Sequence, residues 1–227
     1  MSQSWNGTAV RLAFDVMFKR QWLAIPHVTV TDIRYINFCE LKKAGCRAVV
    51  YDKDNCITNP YEDHISLRVK PGWDECLRVF GRENVLIMSN SAGSSDDKDF
   101  EKARHLDNVL GVQVVKHGGK KPGGHDAILQ ALGGKDVKLE ELAFVGDRLL
   151  TDVVFGNLGG MLTIHTQPFS LKRDNRVAKS VRTMENALML PFFRWLRHNR
   201  YRGALNERVQ THPLLSGAGL TRTEPLE

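Results

Sequence analysis

The sequence predicts an α/β protein in which helices flank a parallel sheet, and three observations support this prediction. Short apolar runs rich in β-branched residues recur along the chain, as in strands that are buried on both faces. Segments with helical spacing separate these runs, and alternating strands and helices form parallel sheets with right-handed crossovers. Of the 227 residues, 42% are hydrophobic and 26% are charged, which is typical of a soluble globular protein with a sizeable core.

Each predicted strand is a short apolar run followed by polar residues. The predicted strands are residues 48–51, 85–88, 112–115, 142–145 and 161–164, and the predicted helices are residues 32–41, 73–80, 96–106 and a helix around Ile128, Leu129 and Leu132. Ser94 or Ser95 is the expected cap of the helix over residues 96–106. Residues 55–72, which include Pro60 and Pro71, are predicted to form a loop.

Charge and cysteine content limit the class of partner and the compartment. The net charge of +6 and the isoelectric point near 9.2 indicate an anionic partner, namely nucleic acid, a membrane surface or a phosphorylated substrate. The four cysteines show no C-x-x-C pair and no metal-finger spacing, which favours a reduced intracellular compartment. No apolar run reaches the roughly 20 residues that span a bilayer, so any membrane contact is peripheral.

Residues 1–30 form a first region with an amphipathic pattern. Its apolar residues at helical spacing are Val10, Phe14, Met17, Phe18, Trp22 and Ile25, and its basic residues are Arg11, Lys19 and Arg20. This pattern is typical of a helix that lies in a membrane interface. A helix packed on the core or on another subunit has the same pattern, so both interpretations stay open. The segment also resembles, loosely, a mitochondrial presequence.

Residues 169–227 form a C-terminal region in which basic residues alternate with aromatic ones. A helix up to about Met189 and a second one after Pro191 are expected there. Such a composition indicates RNA, an anionic bilayer or a subunit contact, and a solvated helix face is the simplest alternative. The tail beyond Pro213 has little hydrophobic pattern and is predicted to be loosely held.

Polar side chains that suit catalysis follow the ends of several predicted strands. They are Asp52 and Asp54 after the first strand, Ser89 after the second, Lys121 in the loop after the third, and Asp147 and Asp152 after the fourth. Residues i and i+2 of an extended chain share a face, so Asp52 and Asp54 are expected to lie together with Lys53 turned away. Carboxyl ends of parallel strands meet at one edge, which is where such sheets bind ligands. The mutual repulsion of the paired acids needs a cation, a shared proton or open water, and Mg²⁺ is the natural candidate because it takes hard oxygen ligands.

This order of motifs resembles the haloacid dehalogenase superfamily of phosphohydrolases over residues 45–168. The resemblance implies a Rossmann-like core over residues 31–168, with extra N- and C-terminal helices. The sequence departs from the superfamily at Asn55-Cys56, where members commonly have Gly-Thr or Asn-Thr.

The resemblance also implies a role for each motif residue. Asp52 is the expected nucleophile, which forms an aspartyl-phosphate, and Asp54 the expected general acid and base. Asp52, the main-chain carbonyl of Asp54, and Asp147 are expected to bind Mg²⁺, with Asp152 supporting them directly or through water. Ser89 is expected to bind a phosphoryl oxygen, and Lys121 to offset the charge that gathers on nucleophile and phosphate.

Short spacings between the motifs leave no room for a substantial cap domain. About 35 residues separate Asp54 from Ser89, and about 30 separate Ser89 from Lys121. Many members of the superfamily carry a cap in one of these intervals. An uncovered site suits a bulky substrate, such as a protein, a nucleic-acid end or a lipid head group. It also suits a homo-oligomer in which a neighbouring subunit covers the site.

A finer resemblance is to the fungal mitochondrial phosphatidylglycerophosphate phosphatases. It lies in Leu-Lys-Lys-Ala-Gly, Asp-Lys-Asp-Asn-Cys-Ile-Thr, Gly-Lys-Lys-Pro and Gly-Asp-Arg-Leu-Leu-Thr-Asp-Val. It implies removal of the terminal phosphate of phosphatidylglycerophosphate in cardiolipin synthesis, peripherally on the matrix side of the inner membrane. The expected partners are a phospholipid substrate at an anionic membrane surface and further copies of the chain, with no nucleic acid.

Two alternatives to this function stay open. One is a soluble phosphatase for a sugar phosphate, a nucleotide or a nucleic-acid end, and the other is a nucleic-acid-binding protein with the same fold. Candidate substrate contacts beside the motifs are Asn90, His117, Lys120 and Arg148.

Overall fold

A six-stranded, wholly parallel sheet forms the centre of the protein, with the strand order β1-β6-β5-β2-β3-β4. The computed structural model describes residues 20–117, 123–134, 136–169, 212–216 and 219–227. The strands are β1 Val28–Val30, β2 Ala48–Tyr51, β3 Val85–Ile87, β4 Gln113–Val114, β5 Leu142–Gly146 and β6 Leu162–Thr166. The predicted α/β fold with a parallel sheet is confirmed.

Helices follow the strands as predicted. The described residues form α1 Phe38–Lys43, α2 Lys70–Phe80, α3 Glu101–Leu110, α4 His125–Ala131 and α5 Val154–Leu158. A π-helical turn, Leu149–Val153, leads into α5. Short 3₁₀ turns lie at Gln21–Ala24, Ile33–Tyr35, Arg82–Asn84, Lys98–Phe100, Leu139–Glu141 and Pro213–Ser216.

The N-terminal part of the fold differs from the sequence prediction in two places. Strand β1 was not expected, because three residues after Pro26 are too short to give a periodic pattern, yet Val28 pairs with Ile164 of β6. The single helix expected over residues 32–41 is divided. The Asp32 side chain accepts the Arg34 amide at 3.0 Å and caps a 3₁₀ turn, and Asn37 accepts the Glu40 amide at 3.3 Å and caps α1.

Two further helices begin at other residues than expected. Helix α2 begins at Lys70 rather than at residue 73, because Pro71 falls in the first turn, where proline is tolerated. Ahead of α3, Asp97 rather than a serine accepts the amides of Gly93, Lys102 and Ala103. Burial alone would raise the pKa of Asp97, but these hydrogen bonds outweigh it and lower the pKa.

Two hydrophobic clusters cover the two faces of the sheet. Along β2, Val49 and Tyr51 belong to the larger cluster, which includes residues of α1, α2 and α3. Ala48 and Val50 belong to the smaller cluster, which includes Ile128 of α4 and residues of β5. All four residues of β2 are 1% exposed or less, so this strand is buried on both faces as its composition predicts.

The C-terminal residues pack on the larger cluster, so the prediction of a loose tail beyond Pro213 is wrong for the described residues. Leu214 and Leu220 are 3% and 8% exposed. Thr221 forms a β-bridge with Ile36, and the Arg222 guanidinium pairs with Glu75 at 2.6 Å. The periodicity of this tail is weak because single contacts rather than a helix or a long strand hold it.

Most of the predicted terminal helices lie outside the described residues. Of the amphipathic segment over residues 8–25, the structure describes the 3₁₀ turn Gln21–Ala24 and its surroundings. Leu23 and Ile25 are buried, and Asn157 Nδ2 donates to both of their carbonyls at 2.9 Å. In the part of the chain that the structure describes, no helix has the length and apolar character needed to cross a bilayer.

Candidate active site

Three aspartates meet at the carboxyl edge of the sheet. Asp52 follows β2, Asp147 follows β5, and Asp152 lies in the π-helical turn. One carboxylate oxygen from each of the three lies within 4.8 Å of the other two. Asp52 is 9% exposed, and the other two are 1% exposed. The two strands are neighbours, and the Asp52 amide donates to the Val145 carbonyl at 2.8 Å, so pairing of distant segments brings the acids together.

The π-helical turn directs Asp152 back toward Asp147. The amides of Asp152 and Val153 both donate to the Arg148 carbonyl, at 2.9 and 3.2 Å. In return, the Arg148 amide donates to Asp152 Oδ2 at 3.1 Å. A Cβ atom on Gly146 would lie 2.6 Å from that same Oδ2 atom, so glycine is required for this close approach. Wide turns of this kind occur frequently at functional sites.

The acidic cluster fits a divalent cation with hard oxygen ligands. Three largely buried carboxylates repel one another, and a cation among them removes this repulsion. Oxygen ligands of one Mg²⁺ lie at most about 4.2 Å apart, because each lies about 2.1 Å from the ion. The observed limit of 4.8 Å therefore needs only a small adjustment. The residues present match the expected ligands Asp52, Asp147 and Asp152, although the carboxylate of Asp54 is not part of the cluster.

Asp54 and Lys53 are arranged differently from the prediction. Asp54 is 32% exposed, and its Oδ1 atom accepts hydrogen bonds from Lys53 Nζ at 2.8 Å and from the Tyr61 amide at 3.0 Å. The expectation that Lys53 turns away is therefore wrong. Strand β2 ends at Tyr51, and Asn55 has a positive φ of 65°, so the alternation of an extended chain does not continue past the strand. A metal contact through the Asp54 carbonyl stays a prediction.

Ser89 lies at the same edge, after the strand next to β2. It is 3% exposed, and its Oγ atom lies 3.1 Å from Ser91 Oγ and accepts the Ser91 amide at 3.2 Å. Behind it, His117 is 2% exposed and donates from Nε2 to the Ser89 carbonyl at 3.0 Å. His117 therefore supports the serine loop, and its predicted substrate contact stays a prediction. The Asn90 carbonyl accepts the Ser94 hydroxyl, so Asn90 also belongs to this loop.

The structure describes only some of the remaining predicted site residues. Lys120 and Lys121 lie outside the described residues. Arg148 directly follows Asp147, and its backbone amide holds Asp152. Among the described residues, nothing accepts a hydrogen bond from the buried Nε atom of Arg148. A guanidinium group in this position suits an anion, so the expected substrate contact of Arg148 stays a prediction.

Sequence reasoning missed His165 of β6, a buried residue that supports the acidic cluster. Its side chain is 1% exposed and donates from Nε2 to the Asp147 carbonyl at 3.1 Å. A histidine inside an apolar strand is the only sequence signal for this role.

Cys56, at the departure from the superfamily motif, is fully buried, and its Sγ atom lies 3.7 Å from the Val145 carbonyl. The thiol therefore takes part in joining the loop after β2 to β5.

The fold and these residues define an α/β protein with a core like that of the haloacid dehalogenases and an acidic site at its strand ends. The chain belongs to the mitochondrial PGP phosphatase family, because the model of that family matches residues 8–170, well over half of the chain. The resemblance inferred from the motifs is thereby confirmed.

Curated relatives carry corresponding names. The chain is 41% identical over 171 residues to phosphatidylglycerophosphate phosphatase 1, chloroplastic, of Chlamydomonas reinhardtii, which covers 75% of this chain and 62% of the relative. It is 37% identical over 198 residues to the chloroplastic/mitochondrial phosphatidylglycerophosphate phosphatase 1 of Arabidopsis thaliana, with 87% and 55% covered. It is 41% identical over 116 residues to the mitochondrial phosphatidylglycerophosphatase GEP4 of Saccharomyces cerevisiae, with 50% and 63% covered.

The chain thus spans between about half and two thirds of the length of these relatives. No solved structure matches the chain.

Proposed function

We propose that the protein is a Mg²⁺-dependent phosphomonoesterase that converts phosphatidylglycerophosphate to phosphatidylglycerol in cardiolipin synthesis. The observation that carries this proposal is the cluster of Asp52, Asp147 and Asp152, whose carboxylate oxygens lie within 4.8 Å of one another at the carboxyl edge of the sheet. Membership of the mitochondrial PGP phosphatase family supports the choice of substrate. The names of the relatives from Chlamydomonas, Arabidopsis and Saccharomyces support it as well.

The chain's own residues supply the nucleophile and the proton carrier. Asp52, held by its amide on the Val145 carbonyl, attacks phosphorus, and the bond between phosphorus and the lipid oxygen breaks. Asp54 gives a proton to that leaving oxygen. Asp54 then takes a proton from the water that attacks the aspartyl-phosphate, which releases inorganic phosphate and restores Asp52.

Other residues hold the reacting groups in place. Asp52, Asp147 and Asp152 would hold Mg²⁺, which would offset the negative charge of the phosphoryl group when bound. Asp152 is fixed by the Arg148 amide at 3.1 Å, and Asp147 by the His165 side chain on its carbonyl. In the proposal, Ser89 donates to a phosphoryl oxygen, and Lys121 offsets the charge on the nucleophile and the phosphate.

Two exposed hydrophobic side chains in the segment after Asp54 favour a substrate in a membrane. Tyr61 is 71% exposed and Leu67 is 88% exposed, and both lie in the segment between Asp54 and α2. The Tyr61 amide donates to Asp54 Oδ1, so the backbone of this residue lies at the edge where the phosphate reacts in the proposal. Tyrosine suits the interface between lipid and water, because its ring is apolar and its hydroxyl is polar. The proposal therefore includes a bilayer surface against Tyr61 and Leu67.

Localisation and assembly complete the proposal. The net charge of +6 supports attachment to an anionic membrane, and we place the protein peripherally on the matrix side of the mitochondrial inner membrane. Residues 54–89, all described, contain α2, a 3₁₀ turn and β3 rather than a cap domain. The lack of a cap within these described residues supports a homo-oligomer whose neighbouring subunit shields the site.

Turnover of phosphatidylglycerophosphate in mixed micelles, followed by mass spectrometry, tests the proposed reaction. Parallel reactions contain a sugar phosphate, a nucleotide and a phosphorylated nucleic-acid end. We expect the lipid to be the preferred substrate and EDTA to abolish turnover. Equal turnover of soluble esters would support a soluble phosphatase instead. Nucleic-acid binding without phosphate release from any ester would support a binding protein.

The double substitution Tyr61→Ser with Leu67→Ser tests the membrane contact. Burying two large side chains contributes about 1 kcal/mol each when insertion is partial, so we expect about 30-fold weaker binding to anionic vesicles in co-sedimentation. Hydrolysis of a soluble aryl phosphate is expected to stay unchanged. Leu158→Ser is the matched control, since Leu158 is 37% exposed and lies at the end of α5, far along the chain from Asp54. Unchanged vesicle binding of the double variant would contradict the contact.

A further inference from the structure

Lys53, between the two aspartates of the first motif, is buried at the catalytic edge. Its side chain is only 4% exposed. Lysine is almost never buried unless its ammonium group is paired. Here Nζ donates to Asp54 Oδ1 at 2.8 Å and to the Glu62 carbonyl at 2.7 Å, and it lies 3.7 Å from Asp63 Oδ1. The ammonium group therefore joins Asp54 to the loop that follows it.

The backbone of Lys53 is held as firmly as its side chain. The Lys53 carbonyl accepts the amides of Ile57 and Thr58, both at 3.1 Å, and the Thr58 hydroxyl at 3.2 Å. Thr58 is fully buried. Because both ends of the side chain are fixed, the ammonium group has a defined position relative to the Asp54 carboxylate.

The two oxygens of the Asp54 carboxylate have different surroundings. Oδ1 accepts two hydrogen bonds, from Lys53 Nζ and from the Tyr61 amide. Among the described residues, nothing donates to Oδ2. Two donors on one oxygen fix the plane of the carboxylate and leave Oδ2 as the atom that can carry a proton.

We infer that Lys53 is a positioning residue for proton transfer at Asp54. The inference rests on the proposed function, in which Asp54 protonates the leaving oxygen. By fixing Oδ1, Lys53 presents Oδ2 to that oxygen. As the phosphorus–oxygen bond breaks, its electron pair stays on the leaving oxygen, which takes the proton from Oδ2. The Asp54 carboxylate that results keeps the Lys53 ammonium as its partner.

This role has a signature that a purely structural role lacks. The leaving group of glycerol phosphate is a strongly basic alkoxide, which needs the proton from Asp54. The leaving group of 4-nitrophenyl phosphate is 4-nitrophenolate, which is stable enough to leave without a proton. Loss of positioning at Asp54 therefore slows hydrolysis of the alkyl ester far more than that of the aryl ester. A general loss of structure slows both equally.

The test compares kcat/KM for glycerol phosphate and 4-nitrophenyl phosphate in Lys53→Met, with Mg²⁺ present. We expect at least a 30-fold fall in the ratio of the alkyl to the aryl value, and the same direction of change in Asp54→Asn. Lys53→Arg, which keeps a cationic donor, is expected to recover part of the ratio. Lys70→Met is the matched control, since it removes an exposed lysine that pairs with Asp74 at 2.5 Å.

The ratio does not depend on the folded fraction of the sample, so it stays informative if Lys53→Met is destabilised. A fall of equal size for both esters would overturn the inference while leaving the phosphatase intact. If the unaltered protein hydrolyses neither these esters nor the lipid, the proposed function itself fails.

Discussion

The two edges of the sheet bury polar groups in different ways. At the carboxyl edge, Asp52, Asp147 and Asp152 place three carboxylates within 4.8 Å of one another. At the amino edge, His27 precedes β1, and its Nδ1 atom lies 2.8 Å from Oγ1 of Thr163 near the start of β6. Burying a charge is costly unless a counter-charge compensates it, whereas a hydrogen-bonded neutral group is nearly free of this cost. The carboxyl edge therefore gathers acidic groups that need compensation, and the amino edge gathers hydrogen-bonded groups without a carboxylate.

The hydrogen bonds of the amino edge show this difference in detail. The His27 amide donates to Thr163 Oγ1 at 3.1 Å, and the Thr163 amide donates to His27 Nδ1 at 3.0 Å. Thr163 Oγ1 in turn donates to Asn157 Oδ1 at 3.0 Å. The ring of His212 lies 5.0 Å from that of His27. Burial, followed by the nearby His212, lowers the pKa of His27 to about 4.

Asp52→Asn should have the largest effect of the predicted changes, and this effect should fall on the chemistry of the carboxyl edge rather than on stability. We expect turnover to fall by about 10³-fold or more, because an amide oxygen is a poor nucleophile. The free energy of unfolding without metal should stay equal or rise, since one of three mutually repelling charges is removed. Phosphate release and thermal unfolding with and without Mg²⁺ measure both effects. Near-normal turnover would rule out the covalent mechanism.

Lowering the pH should destabilise the protein through the amino edge. Below its ordinary pKa of 6.5, His27 takes up a proton in the unfolded chain, but it does so in the folded protein only near pH 4. The unfolded state therefore binds more protons between these values, and stability falls as the pH drops from 6.5 to 4, by about 3 kcal/mol at most.

Urea unfolding at several pH values measures this loss. In His27→Asn, the side-chain oxygen can still accept the Thr163 amide, so we expect a shallower decline of stability between pH 6.5 and 4. His105→Asn is the control, because the His105 side chain is 60% exposed. An equal decline in His27→Asn and in the unaltered protein would show that other groups cause it.

Gly146→Ala should have a smaller effect than Asp52→Asn or a low pH. This effect should be confined to the carboxyl edge. The added Cβ would lie 2.6 Å from Asp152 Oδ2, so the carboxylate must shift, and we expect about a tenfold loss of turnover. Gly133→Ala is the matched control. Gly133 has a φ of 74° and no atom within 4 Å of an added Cβ, so strain of about 1 kcal/mol without loss of turnover is expected. Equal turnover in both variants would contradict the role of Gly146.

The sequence was most informative where a regular pattern meets a fixed rule of geometry. The run 48–51 predicted a strand buried on both faces, and the rule for parallel strand ends predicted that Asp52 and Asp147 meet. Strand β1 escaped prediction because it has only three residues and Thr29 is exposed. The side chain of Lys53 was predicted to turn away from Asp54, which is wrong because the alternation of side chains ends with the strand. His165 donates to a backbone carbonyl, and such a contact leaves no trace in a sequence pattern.

The pairing of β2 with β5 also has a consequence for the order of folding. These strands are neighbours in space but far apart along the chain, with Ala48 beside Leu142. Contacts of this kind are slow to form, because a long loop must first close at the expense of chain entropy. Asp52 and Asp147 therefore remain separated in water until the central strands dock, and a half-folded chain has neither a place for a cation nor the means to cleave an ester.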